Sequence, residues 1–236
     1  MPQCASCLDC PFREKGPICG NTDKTVSKFS DDLLRYSIKG KGKAIFNEGQ
    51  PVDGVFFLCK GVVKLTKWLS EHEETIVDVI TPCTVVSTLA DIGGIHSLSA
   101  VTAEGNVEVA FLRARSPDAL ASTLSGVQTS IFKAVSELLD RSRIQLAQCS
   151  LPVSKRLLSA LLRLHRQFAA GPEASFRLPF SFAELAQFVH TTPETVSRTF
   201  RKFRREGLIS IDRGGMISLF YHPSSSDAPS TKRRRS

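Results

Sequence analysis

The stretch SFAELAQFVHTTPETVSRTFRKFRREGLIS, residues 181–210, decides the fold of the C-terminal part of the chain. It opens with Ser181, and Glu184 follows three residues later. This spacing is a capping box, in which each of the two side chains accepts a hydrogen bond from a backbone N–H at the start of a helix. The pattern predicts a short first helix over 182–189 and a turn over 190–192.

A second helix is predicted to begin at Pro193, because proline suits the first helical position, and to end at Gly207. Its apolar residues stand at i, i+4 and i+7 and would pack on the first helix. They are Val196, Phe200 and Phe203. The opposite face carries polar and basic residues, namely Glu194, Ser197, Arg198, Arg201 and Arg205.

Two helices joined by a tight turn are typical of a helix-turn-helix, whose second helix enters the major groove of DNA. On this interpretation Arg198 pairs with guanine, Glu194 accepts from the amino group of cytosine, and Ser197 contacts a base or a phosphate. Further basic residues neutralise phosphates, namely Lys202, Arg204 and Arg205.

Two alternatives remain at this helix. Thr191 and Glu194 would form a second capping box, and the arginines would form a solvated face. A predicted hairpin over 208–211 and 216–219 favours a winged helix-turn-helix and therefore DNA binding.

The distribution of charge also separates the C-terminal part of the chain from the rest. The 236 residues carry a formal net charge of +8, of which residues 1–150 contribute −1 and residues 151–236 contribute +9. A near-neutral part joined to a basic part indicates a polyanion-binding module attached to another domain. A membrane span and a secretory leader are not predicted, so we expect a cytoplasmic protein with no membrane partner.

Upstream of the basic module the periodicity changes twice. Short apolar segments separated by turns predict a β-roll over 29–122, and a seam whose members are 3 or 4 residues apart predicts a long helix over 123–150. That seam predicts dimerisation, with a core-facing helix of a single chain as the alternative. Its members are Val127, Ile131, Val135, Leu138, Ser142, Gln145 and Cys149. The winged module is placed at 151–222 and a disordered basic tail at 223–236.

Four of the seven cysteines fall within the first 19 residues, in the predicted loop 1–28, at Cys4, Cys7, Cys10 and Cys19. Three thiols at two-residue intervals are typical of a cubane iron–sulfur cluster. Structural zinc is the alternative, although zinc sites usually divide into two C-x2-C pairs separated by a longer loop. Small buried thiols are expected at the other positions, such as Cys59 in an apolar strand and Cys149 on the helix seam.

The segment Thr191–Arg198, followed by Gly207-Leu208-Ile209, resembles the recognition segment of Crp/Fnr transcription regulators, and its Glu-x-x-Ser-Arg arrangement is similar to the Fnr branch. The stretch Gly54–Leu65 also resembles the strand-turn-strand of that family's roll. The resemblance implies an α+β chain with a cyclic-nucleotide-binding-like β-roll, a long dimerisation helix and a C-terminal winged helix-turn-helix. It covers nearly the whole chain apart from the tail.

The resemblance further implies a homodimer that binds a TTGAT-like palindrome of double-stranded DNA, acts with RNA polymerase and senses oxygen or redox state through a [4Fe-4S] cluster. Val109 stands where the family has a central cysteine ligand. Two ligand sets are then possible. Either all four ligands come from the N-terminal cysteines, which is the set we favour, or Cys83 or Cys59 replaces one of them. The family's Glu–Arg pair for a cyclic phosphate has no counterpart in 91–100, so no cyclic nucleotide is expected. His96 of that stretch is assigned no role.

The competing hypotheses are a zinc-stabilised or constitutive regulator of the same type and a small iron–sulfur redox protein. The sequence shows no constellation of catalytic residues, so an enzyme is not predicted.

Overall fold

The computed structural model describes residues 33–71, 73–82, 84–87, 91–116, 149–169, 171 and 174–220, with isolated residues between 118 and 147. The chain divides into two compact units, with the boundary in the sequence between Leu151 and Pro152. None of the described helices is long and apolar enough to cross a membrane.

The described residues of the N-terminal unit form eight antiparallel strands in two four-stranded sheets. One sheet has the order β1-β8-β3-β6 and the other β2-β7-β4-β5. The strands are β1 Leu33–Lys39, β2 Ala44–Phe46, β3 Gly54–Lys60, β4 Val63–Ser70, β5 Glu73–Ile80, β6 Thr84–Val85, β7 Ser99–Thr102 and β8 Asn106–Arg113. The short strands predicted for the β-roll are confirmed.

The core of this unit lies between the two sheets. It includes Leu58 from β3, Val63 from β4, Ala100 from β7 and Val109 from β8, each at most 1% exposed. In β8 the alternate residues Ala110 and Leu112 are buried as well. Both faces of β8 are therefore covered, which explains its nearly continuous apolar sequence.

Within the described part of the C-terminal unit there are three helices and a small antiparallel sheet. The elements are α1 Val153–Phe168, β9 Phe176–Arg177, α2 Phe182–Phe188, α3 Pro193–Arg205, β10 Ile209–Ile211 and β11 Met216–Leu219. The sheet order is β10-β11-β9. The two predicted helices and the hairpin are confirmed, while β9 has no counterpart in the sequence prediction.

One apolar core joins the elements of this unit. It is formed by side chains at most 3% exposed, which come from all three helices and the sheet, namely Leu157, Leu161, Leu164, Phe176, Leu185, Val196, Phe200, Phe203, Ile209 and Ile217. Burying a side chain of this size contributes about 1.5–3 kcal/mol. The core therefore fixes how α3 lies on α2.

Candidate nucleic-acid interface

Helix α2 begins at the predicted capping box. The backbone N–H of Glu184 donates to the Ser181 hydroxyl at 3.3 Å, and the backbone N–H of Ser181 donates to the Glu184 carboxylate at 2.7 Å. Both hydrogen bonds satisfy N–H groups that an isolated helix would leave to water. The capping-box prediction is confirmed.

The turn between α2 and α3 depends on His190, which has a φ of 52°. A side chain larger than glycine seldom adopts this left-handed conformation. The turn is held from two sides. The Thr191 N–H donates to the Ala186 carbonyl at 2.9 Å, and the Arg156 guanidinium of α1 donates to the His190 carbonyl at 2.9 Å.

Helix α3 begins one residue later than the second capping box requires. Its N-cap is Thr192, whose hydroxyl accepts from the N–H of Thr195 at 3.3 Å. The capping box proposed between Thr191 and Glu194 is therefore wrong. The physical reason is Pro193, which occupies the first helical position and makes the preceding residue the cap.

The apolar face of α3 is buried as predicted. Val196, Phe200 and Phe203 are 0%, 2% and 3% exposed. The ring of Phe200 lies against that of Phe182 on α2, with a centroid separation of 4.7 Å. These contacts turn the opposite face of α3 outward.

The outward face presents the residues predicted to bind DNA. Glu194, Arg198 and Arg201 are exposed, and Ser197 is partly exposed. Four cationic side chains line one shallow depression along the helix, namely Arg198, Arg201, Lys202 and Arg205. Such a row of cations suits the phosphate backbone of a nucleic acid.

The carboxylate of Glu194 stays ionised at this exposed position. A hydrogen bond from its own backbone N–H lowers its pKa, and the Thr192 hydroxyl contributes in the same direction. An ionised carboxylate only accepts hydrogen bonds, which suits the amino group of cytosine.

The wing is the hairpin of β10 and β11. The Asp212 carboxylate accepts from the N–H of Met216 at 2.9 Å, and the Gly215 N–H donates to the Asp212 carbonyl at 3.1 Å. Arg177 of β9 donates to the Gly214 carbonyl at 3.1 Å. This last contact was not predicted, because a two-residue strand has no periodicity to detect.

The four cysteines predicted to hold a metal, Cys4, Cys7, Cys10 and Cys19, lie outside the described residues, as does Cys83. The described part of the chain contains no group of three or more histidine, cysteine or acidic side chains suited to a metal ion.

Two further cysteines are described. The Cys59 thiol is partly buried in β3 and lies 3.8 Å from the Phe57 carbonyl oxygen. Cys149 was predicted to lie on the helix seam, where a small thiol is commonly buried. It is exposed and lies in a turn, where its N–H donates to the Leu146 carbonyl.

Of the predicted dimer-interface residues, Ile131, Val135, Leu138 and Gln145 lie outside the described residues. Ser142 is described, has helical backbone and is exposed. Two leucines of the same segment are also exposed, Leu139 at 51% and Leu146 at 74%. They stand seven residues apart and thus share one helix face with Ser142.

Both units match known protein families. Residues 155–220 match the family described as the Crp-like helix-turn-helix domain, and residues 40–123 match the cyclic nucleotide-binding domain.

Relatives match nearly the full length. The chain is 30% identical over 219 residues to the transcriptional regulatory protein btr of Bordetella pertussis, an alignment that covers 90% of this chain and 88% of that protein. It is 28% identical over 221 residues to the transcriptional activator protein anr of Pseudomonas aeruginosa, with 90% and 87% covered. The solved structure of FixK2 from Bradyrhizobium japonicum superimposes with a TM-score of 0.68 at 21% identity, covering 80% of this chain and 93% of that one.

Proposed function

The chain belongs to the Crp/Fnr family of transcription regulators, and on that premise we propose that it reads a TTGAT-like palindrome as a homodimer under the control of an oxygen- or redox-sensitive [4Fe-4S] cluster. It is a DNA-binding regulator with a winged helix-turn-helix, and its relatives are regulators rather than enzymes. RNA polymerase is the protein partner that membership of this family implies.

The exposure of two side chains on α3 is the main support for the proposed recognition of DNA bases. The first half of α3 turns Glu194 and Arg198 to solvent while Val196, between them in sequence, is 0% exposed. The N-terminal half of a recognition helix is the part that meets base edges. A carboxylate and a guanidinium there select cytosine and guanine respectively, as a G·C pair within a TTGAT-like half-site requires.

Selection of bound sequences from random DNA tests this reading. We expect the wild-type chain to enrich a palindrome with TTGAT-like half-sites. Arg198→Ala should cost about 1–3 kcal/mol on that palindrome and relax the preference at one base pair per half-site. Equal weakening on all sequences would instead identify Arg198 as a phosphate contact.

The exposed leucines Leu139 and Leu146 support the homodimer. Large apolar side chains on one helix face are typical of a face that pairs with another helix. We expect Leu146→Glu to shift the chain from dimer to monomer in sedimentation at micromolar concentration. Leu146→Met, which keeps the apolar volume, should leave the dimer intact. A monomeric wild-type chain, both with and without DNA, would contradict the proposal.

The chemistry of the donor set supports the cluster. Cys4, Cys7, Cys10 and Cys19 supply four thiols, which is the number that a [4Fe-4S] cluster binds. When bound, the cluster would supply the oxygen- or redox-sensitive centre. The roll has no thiol at the position that the resemblance assigns to a central ligand, since Val109 there is 1% exposed within the apolar core.

Cys59 is the described alternative to one N-terminal ligand. It follows Leu58, which pairs with Val109 across β3 and β8, so the thiol belongs to the strand beside the one that carries Val109. Iron content distinguishes the two ligand sets. We expect Cys19→Ala to lose the cluster, whereas Cys59→Ala and Cys83→Ala retain it. Loss in Cys59→Ala and retention in Cys19→Ala would reverse the assignment.

The metal itself is identified by anaerobic purification. We expect a coloured protein with about four iron and four sulfide per chain, whose visible absorption is lost on exposure to air. A colourless protein with one zinc per chain would replace the cluster with the zinc alternative while leaving the DNA-binding function unchanged.

The loop 91–98 supports the absence of a cyclic-nucleotide signal. The carboxylate of Asp91 accepts from both the N–H and the hydroxyl of Ser97, at 2.8 Å each. This places a negative charge in the loop where the resemblance would require a cation for the cyclic phosphate. Titration with cyclic nucleotides should therefore leave the affinity for DNA unchanged.

A further inference from the structure

The guanidinium of Arg198 is held by a neighbour on its own helix. Its Nη2 atom lies 3.4 Å from the hydroxyl oxygen of Thr195, one turn earlier. A guanidinium only donates hydrogen bonds, so the Thr195 oxygen is the acceptor. This long hydrogen bond restrains the end of a side chain that is otherwise exposed to solvent.

The Thr195 hydroxyl is fixed in turn by the N-cap of the helix. Its oxygen lies 3.1 Å from the hydroxyl oxygen of Thr192, and the same Thr192 oxygen accepts from the Thr195 N–H at 3.3 Å. Thr195 is therefore tied to Thr192 through both its backbone and its side chain.

We propose that Thr195, itself held by Thr192, is a positioning residue for DNA recognition, which pre-orients the Arg198 guanidinium for guanine. This inference rests on the proposed reading of bases by Arg198. An arginine side chain loses considerable rotamer freedom on binding, and a partner that already restricts it reduces the loss. The resulting gain in affinity is limited to sites with guanine at this position, because the restrained orientation does not suit another base pair. It therefore increases sequence selectivity.

The test compares Thr195→Val with Thr195→Ser in the full chain. Valine has nearly the shape of threonine but no hydroxyl, and serine retains the hydroxyl. Both variants keep the backbone N–H that Thr192 caps, so α3 should form in each. The measurements are the affinity for the selected palindrome, the affinity for random DNA, the slope of affinity against salt and the melting temperature.

We expect Thr195→Val to weaken binding to the palindrome about three- to tenfold, the range that one hydrogen bond supplies, with random DNA bound as before. Thr195→Ser should bind like the wild type. In a chain that already carries Arg198→Ala, Thr195→Val should have no further effect.

Three outcomes would overturn the inference, and they differ in whether they also refute the proposed reading of bases by Arg198. Unchanged selectivity in Thr195→Val, with Arg198→Ala still losing it, would refute the positioning role alone. A loss shared equally by random DNA, with a shallower salt slope, would make Thr195 a phosphate contact. Unchanged selectivity in Arg198→Ala would refute the base reading itself and the positioning role with it.

Discussion

The imidazole ring of His96 is stacked on the phenyl ring of Phe46, with centroids 3.8 Å apart and planes inclined by 11°. His96 is 4% exposed, and its backbone joins two loops, since its N–H donates to the Gln50 carbonyl and its carbonyl accepts from the Gly49 N–H. Its Nδ1 atom is buried and has no hydrogen-bond partner among the described residues. A residue to which the sequence assigns no role is thus an anchor of the β-roll.

Acid should destabilise the β-roll through His96. Burial lowers the pKa of His96, although the nearby Asp91 acts in the opposite direction. The folded roll therefore binds a proton less readily than the unfolded chain. The contribution of His96 to stability is complete above the unfolded pKa of about 6.5 and decreases as the pH falls below it.

Denaturant unfolding between pH 7.5 and pH 5 measures this effect, with the fluorescence of Trp68 reporting on the roll because it is the single tryptophan. The free energy of unfolding should fall by at most about 1.4 kcal/mol per pH unit from this one group. In His96→Phe, which keeps an aromatic ring over Phe46, this part of the slope should disappear. An identical slope in the variant would mean that other groups cause it.

Replacing Gly54 with alanine should destabilise the same unit. A Cβ atom at Gly54 would clash with the Leu112 carbonyl oxygen and lie 2.6 Å from Cζ of Phe111. Backbone oxygen cannot move without breaking the pairing of β3 with β8, so we expect a loss of about 1–3 kcal/mol or more.

Gly105→Ala is the matched control for that substitution, because a Cβ there meets nothing within 4 Å. Its free energy of unfolding should stay within about 0.5 kcal/mol of the wild type. Equal losses in the two variants would show that backbone flexibility, rather than the clash at Leu112, decides the result.

The sequence predicts most of the β-roll and α3 because their signal is periodic. Burial on both faces makes β8 an apolar run that only Glu108 interrupts, and Val196, Phe200 and Phe203 orient α3 by their spacing alone. The position of His96 gives no such signal, since it lies in an irregular loop where burial depends on contacts distant in sequence. The sequence also does not predict the contact of Thr195 with Arg198, because that contact depends on the rotamers of both side chains and residue types alone do not determine them.

Removing the cap of α2 should weaken the DNA-binding unit alone. Ser181→Ala deletes the acceptor for the Glu184 N–H, and we expect a loss of about 1 kcal/mol. Ser181→Asp retains an acceptor at the cap and should lose much less. The readout is the thermal unfolding of this unit, and a shift in the transition followed by Trp68 would argue against a local effect.

Neutralising the basic row of α3 should change the salt dependence of DNA binding without changing its selectivity. Arg201 and Arg205 are exposed and line the same depression as Arg198, but they stand in the second half of the helix, away from the N-terminal residues that meet bases. Each cation that neutralises a phosphate contributes about 0.9 to the slope of log affinity against log salt. We therefore expect Arg201→Ala and Arg205→Ala each to reduce the magnitude of the slope by about 0.9 per protomer, with the preferred palindrome unchanged.

The matched control is Lys43→Ala, which removes an exposed lysine of the β-roll and should leave the slope as it is. A change in base preference in Arg201→Ala would instead place Arg201 among the residues that read bases, and would extend the reading surface beyond the first half of α3.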